Sequence, residues 1–222
     1  MALVGMLSGV TACERPVKPE VDAARARETV QTRASATERE GCPAEVIPER
    51  ASELELFRLA EYCDKRLAWC AEQCFVSDGA ACYSLARYFQ RDMRSAALRD
   101  PLLYRACAQG LMWSCTRRAY EMSVSLQRAG DAVNFEFSGD AKVNACAART
   151  YEKACALGDA WGCALHANNL FHGLEVKRDW KKAREAAERA CSFKSGIEAC
   201  ETAKGLLAKL DVEEKAQGRG RK

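Results

Sequence analysis

Cysteine is the residue type through which this chain has most scope for chemistry, because thiols form disulfides, bind metals and act as nucleophiles. The 222 residues include 13 cysteines. Chains this rich in cysteine are usually oxidised and extracytoplasmic. Because thirteen is odd, one thiol must have a fate other than a bridge within the chain.

Eight cysteines form four pairs with a nearly constant gap of seven or eight residues: Cys74 and Cys82, Cys107 and Cys115, Cys155 and Cys163, and Cys191 and Cys200. On one continuous helix such a gap spans about 12 Å, which is too far for a disulfide. A bend between two helices brings the thiols together instead. The spacing therefore predicts four helical hairpins, each closed by a disulfide.

Four further cysteines have no partner that spacing fixes: Cys42, Cys63, Cys70 and Cys146. Three pairings are open to them. A Cys63–Cys70 bridge is not expected if one helix holds both, because seven residues of helix span about 10 Å. Cys70 and Cys74 would share a helical face, but no second closely spaced Cys or His pair completes a zinc site. We expect disulfides and no metal.

The residues offer little for catalysis. The only histidines, His166 and His172, are six residues apart and would lie on different faces of one helix, as surface or packing residues. The chain has no Gly-x-Ser-x-Gly, no Ser followed three residues later by Lys, and no His-Glu-x-x-His. We predict no catalytic residue and no cofactor. The net charge of +3 gives no reason to expect nucleic acid.

The first 13 residues are predicted to be a signal peptide with a lipid attachment site. An apolar run too short to span a bilayer ends in Val10-Thr11-Ala12-Cys13. This tetrapeptide resembles the lipobox of bacterial lipoproteins, in which the cysteine is acylated. No Lys or Arg precedes the run, so a plain secretory signal and an ordinary apolar N-terminus are alternatives. We expect a periplasmic or outer-membrane lipoprotein, or otherwise a secreted protein.

The rest of the chain divides by composition. Residues 14–50 are polar with four prolines and predict a flexible tether, 51–211 a domain of about four helical repeats, and 212–222 a basic disordered tail. The first cysteines of the pairs are 33, 48 and 36 residues apart, near the period of tetratricopeptide repeats. The longest step contains an insertion, residues 130–139, predicted to be a loop. The predicted fold is all-α, a tetratricopeptide-like, right-handed α-solenoid.

Capping residues locate some helix ends. Gly158 should end one helix and Asp159 cap the next, and Asp179 should cap the helix after that. Asp100 and Pro101 are predicted to be the N-cap and a first-turn residue of a helix. The first helix of the second repeat should therefore be short.

The helix after Asp179 has an apolar and a charged face. Trp180, Ala183, Ala187 and Ala190 recur on the first. The charged face is expected to be solvated and to form ion pairs along the helix; alternatively, it is part of a concave surface that binds a ligand. This face comprises Lys181, Arg184, Glu185, Glu188 and Arg189.

One stretch of the chain resembles the Sel-one-like repeat. It runs from Leu170-Phe-His-Gly173 through Asp179-Trp-Lys-Lys-Ala183 to Arg189-Ala-Cys191. The cysteine gap resembles the cysteine-rich, Hcp-type branch of that superfamily. The best match covers about 151–207, and weaker ones extend back to about 64. The resemblance implies an adaptor that binds a protein or peptide. Family members described as penicillin-binding or weakly β-lactam-hydrolysing make such an enzyme the alternative, and a structural envelope protein without a discrete ligand is a third.

Overall fold

A computed structural model of the protein describes residues 19–52, 62–63, 66–90, 96–129, 132–193 and 196–219. In this part of the chain the fold is all-α, as predicted, and helices consecutive in sequence pack against each other as hairpins. The described helices are α1 (Pro19–Arg33), α2 (Ala36–Glu40), α3 (Leu67–Phe75), α4 (Gly79–Gln90), α5 (Ala96–Ala108), α6 (Met112–Ser123), α7 (Ala141–Ala156), α8 (Ala160–His172), α9 (Trp180–Ser192) and α10 (Ile197–Arg219).

The hairpins are α3–α4, α5–α6, α7–α8 and α9–α10, and each bends between its two paired cysteines. At the third bend Gly158 has φ +94°, a left-handed conformation that favours glycine. The Asp159 carboxylate then accepts a hydrogen bond from Gly162 N at 2.6 Å and caps α8. Asp179 caps α9 in the same way through Lys182 N at 3.0 Å. The predicted caps are confirmed.

Small side chains let neighbouring helices approach closely. Ala183, Ala187 and Ala190 are fully buried on the face of α9 that packs against α8 and α10. Partly buried Phe171 and Trp180, with ring centroids 6.1 Å apart, fill the edge of this contact. The apolar face predicted for this helix is therefore confirmed, and its alanines explain how α8, α9 and α10 pack closely with few large residues.

The N-terminal segment differs from the flexible tether predicted for residues 14–50. From Pro19 onward it forms α1, α2 and a 3₁₀ turn at Pro43–Glu45. α1 buries Ala26 and Val30 completely against the first hairpin. The Asp22 carboxylate accepts hydrogen bonds from the backbone at the start of α3, from Leu67 N at 2.6 Å and Ala68 N at 3.1 Å. The apolar face of α1 is narrow and made of small residues, so the polar sequence around it gave no sign of a packed helix.

The first helix of the second hairpin is longer than predicted. Pro101 lies inside α5, which begins at Ala96, so the helix is not shortened to start at the proline. A proline in a helix leaves the carbonyl four residues earlier without its backbone donor. Arg39 of α2 supplies a substitute, because its Nη1 donates to Ala97 O at 3.5 Å.

Two further segments are more regular than predicted. The insertion at 130–139 was predicted to be a loop, but it contains the strand β2 (Ala132–Phe137), which pairs antiparallel with β1 (Val124–Ala129) just before it. Its valines and phenylalanines favour extended backbone. The predicted tail from 212 onward continues α10 as far as Arg219, with residues 211–216 exposed.

Candidate functional site

Twelve cysteines form six disulfides in the described residues. Four bridges close the hairpins in the pairs that the spacing predicts: Cys74–Cys82, Cys107–Cys115, Cys155–Cys163 and Cys191–Cys200. Their Cα atoms are 4.3–4.7 Å apart. Such dense oxidation is typical of an extracytoplasmic protein.

The other two bridges settle the pairing that the sequence left open, as Cys42–Cys146 and Cys63–Cys70. The second bond corrects the expectation against it, because Cys63 precedes Leu67, where α3 begins, and its Cα lies 5.8 Å from that of Cys70. Cys70 and Cys74 belong to different bridges, so neither thiol is available to a metal. Cys13 lies outside the described residues.

The histidines are not brought together into a reactive pair. His172 is exposed, and its ring lies edge-on to that of Phe171 at 4.8 Å. His166 is half-buried, and burial lowers the pKa of its imidazole below the ordinary value. The ring of His166 is therefore neutral at physiological pH.

One buried hydroxyl pair invites a catalytic interpretation. Ser123 Oγ and Tyr151 Oη are 3.3 Å apart and both residues are buried. Burial raises the pKa of Tyr151 to about 12, so its hydroxyl stays protonated and cannot act as a base at neutral pH. The pair joins α6 to α7 as a structural hydrogen bond.

Two arginines of the charged face of α9 contact neighbouring helices. Arg184 bridges Asp211 at 2.7 Å and Glu214 at 3.0 Å on α10. Arg189 donates to Ala156 O at 2.9 Å, the last residue of α7. These contacts join helices, whereas the sequence predicted ion pairs within one helix, and they leave α9 a weak candidate for a ligand surface.

A groove between α4, α5 and α6 is a stronger candidate. This arginine groove is a shallow depression of the surface that encloses almost no volume, unlike typical small-molecule pockets. Arginines dominate its charge and an indole ring forms part of its wall. Its lining is Ala86, Arg87 and Gln90 from α4, Arg99 and Leu103 from α5, and Trp113, Arg117 and Glu121 from α6.

Glu121 organises two of the arginines. Arg99 donates to one carboxylate oxygen through Nε at 2.8 Å and Nη2 at 2.6 Å, and Arg117 Nε contacts the other at 2.5 Å. The side chains of Glu121 and Arg99 are 12% and 14% exposed, whereas that of Arg117 is 32% exposed. Shielding from water strengthens these charge-assisted hydrogen bonds. Glu121 therefore holds these two arginines in a fixed arrangement.

Arg87 and Trp113 form the other side of the groove. The Arg87 guanidinium lies 6.0 Å from the centroid of the Trp113 ring, at the outer limit for a cation–π contact. The indole packs edge-on against Tyr83 at 5.2 Å, which fixes its orientation. Arg87 is exposed, and no ion pair joins it to an acidic residue within the described ranges.

A buried arginine lies beside the groove on the same helix as Arg117. Arg118 is fully buried, and none of its three guanidinium nitrogens has a hydrogen-bond partner. Its guanidinium lies 4.6 Å from the centroid of the Tyr104 ring. Burial lowers the pKa of Arg118 to about 10, against the opposing effect of Asp100, so the side chain remains protonated at neutral pH.

The groove was not predicted from sequence. Trp113, Arg117 and Glu121 recur every four residues, which places them on one face of α6 and is the signal that was available. Arg87 and Arg99 come from other helices, so their approach depends on how the first two hairpins pack.

Comparison with protein-family models, with curated proteins and with solved structures finds no match. Among the helices that the structure describes, none combines the length and apolar character needed to cross a bilayer. The observations that bear on function are therefore the disulfide-closed helical array and its arginine groove.

Proposed function

We propose that this protein is an extracytoplasmic helical-repeat scaffold of the Sel-one-like type that binds a peptide segment of a partner protein. The observation that carries the proposal is the arginine groove, an exposed surface with charged and aromatic side chains in fixed positions. Disulfides close both hairpins that form it, through Cys74–Cys82 and Cys107–Cys115. A preformed surface loses little conformational entropy on binding.

The shape of the groove favours a peptide over a small substrate. The depression encloses almost no volume, whereas small-molecule sites typically enclose about 300 Å³ or more. A peptide can lie across the depression and contact the flanking helices without filling a cavity. The four cysteine-paired hairpins support assignment to the cysteine-rich Sel-one-like branch, whose resemblance implies an adaptor.

An unbiased peptide display library tests this function. We expect selection on the oxidised protein to enrich related sequences, and selection on reduced, alkylated protein to lose them because the hairpins loosen. Failure to enrich any sequence would refute the proposal. So would steady turnover of the β-lactam nitrocefin that a single polar substitution abolishes, because that result would identify an enzyme.

We further propose that an acyl chain on Cys13 anchors the scaffold in the bacterial envelope. With the other twelve cysteines in bridges, acylation accounts for the odd thiol. Intact mass of natively produced protein without reductant, before and after alkylation, should show the added acyl mass and no alkylated thiol. An unacylated mass with one alkylated cysteine would contradict the anchor.

A further inference from the structure

The described lining of the arginine groove carries an excess of positive charge. Three arginines, Arg87, Arg99 and Arg117, face one acidic residue, Glu121, which leaves a charge of +2. The buried Arg118 and its neighbour Asp100 add opposite charges and leave the balance unchanged.

Two of these cations are accessible to a ligand. Arg87 is exposed and has no acidic partner among the described residues, and Arg117 is 32% exposed although it contacts Glu121. Arg99 is 14% exposed and serves mainly to hold Glu121 in place. Guanidinium groups bind carboxylates through paired, geometrically specific hydrogen bonds.

The Trp113 ring supplies apolar surface beside the accessible arginines. It is partly exposed, and its edge-on contact with Tyr83 fixes its orientation. Leu103 is only 1% exposed, so it packs beneath the groove and offers no surface to a ligand. A ligand that matches both the arginines and the indole has carboxylates next to an apolar residue.

We infer that the arginine groove binds an acidic segment of a partner protein, with Asp or Glu side chains against Arg87 and Arg117 and an aliphatic side chain against the exposed part of the Trp113 ring. The inference rests on the proposed function and adds its ligand class. Charge complementarity selects this occupant over a basic or neutral peptide. The partly exposed Trp113 ring selects it over a uniformly charged polyanion.

The test measures binding of the fluorescein-labelled peptide Ser-Asp-Glu-Leu-Glu-Asp-Ser by fluorescence anisotropy. Its control is the same peptide with every Asp and Glu replaced by Asn and Gln. We expect the acidic peptide to bind more tightly, and salt to weaken its binding because part of the interaction is exposed. Arg87→Gln should weaken it about fivefold, and Arg87→Glu by more, on the scale of exposed ion pairs.

Two further variants distinguish a loss of binding contacts from a loss of folding. Arg25→Gln makes the same charge change at an exposed position of α1 outside the groove, and should leave affinity within about twofold. Gln90→Lys adds a positive charge to the lining and should strengthen binding about two- to threefold. Circular dichroism checks that each variant retains its helices.

Three results would overturn the inference. The first is equal affinity for the acidic and amide peptides, and the second is equal weakening by Arg87→Gln and Arg25→Gln. The third is a heparin oligosaccharide that binds more tightly than the peptide and loses binding in Arg87→Glu. If the display library enriches neutral or basic sequences, the scaffold function stands and the acidic ligand class is wrong; if it enriches none, the scaffold function itself fails.

Discussion

Removal of the Cys42–Cys146 bridge should destabilise the protein more than removal of any hairpin bridge. The variant is the double substitution Cys42→Ser with Cys146→Ser. This bridge spans 104 residues, whereas the other five span seven to nine. A cross-link restricts the unfolded chain by an amount that grows with the logarithm of the loop it closes.

The magnitude follows from those separations. Closing 104 residues lowers the entropy of the unfolded chain by an amount worth about 4.7 kcal/mol at 25 °C, against about 2.6 kcal/mol for the nine-residue separation of Cys191–Cys200. For a domain of this length 1 kcal/mol shifts the melting temperature by about 2–4 °C. We expect the first double variant to lose roughly 9–19 °C and the second roughly 5–10 °C.

Thermal melting followed by circular dichroism, without reductant, compares the double variant with Cys191→Ser/Cys200→Ser. The native contacts around Cys42 do not depend on the bond alone, since Lys153 Nζ still donates to Ala44 O at 2.7 Å. Loss of stability should therefore reflect mainly the freed unfolded chain. A Cys42/Cys146 variant that melts no lower than the Cys191/Cys200 variant would refute the loop-entropy reasoning.

Three other changes test the packing of the array. Asp22→Ala removes the acceptor that caps α3 and should cost about 1–2 kcal/mol in urea unfolding; an unchanged midpoint would contradict the cap. Gly196→Ala should lower the melting temperature, because its Cβ would lie 2.3 Å from that of Ala160. The control Gly205→Ala, with open space on α10, should stabilise by about 0.8 kcal/mol, and the opposite order would refute the contact. Burial lowers the pKa of His166, so the unfolded chain takes up its proton first as pH falls below 6.5, and stability should fall there. His166→Gln should lose less stability between pH 7.5 and 5.5 than the native protein, and an equal loss would exclude this histidine as the cause.

The hairpins were predictable because they depend on local signals. A disulfide between Cys155 and Cys163 requires a bend between them, and Gly158 and Asp159 supply the residues that a bend and a cap favour. Each signal lies within nine residues of sequence. Local geometry alone therefore defines the repeating unit.

The docked N-terminal segment and the groove were not predictable for the opposite reason. Asp22 caps a helix that begins 45 residues later, and Arg87 and Arg117 meet only after two hairpins have packed. A buried face made of Ala26 and Val30 is also too weakly apolar to distinguish from a polar tether. Such features depend on tertiary contacts that a one-dimensional pattern does not encode.

The order of the bridges along the chain has a consequence for biogenesis. Five of the six join cysteines that are consecutive in sequence, and only Cys42 must wait for a partner, Cys146, that follows six intervening cysteines. An oxidase that links thiols in the order in which they emerge from a translocation channel would join Cys42 to Cys63 and displace Cys70 from its partner. Export of this protein should therefore depend on a disulfide isomerase, and cells without one should accumulate forms with Cys42 wrongly paired.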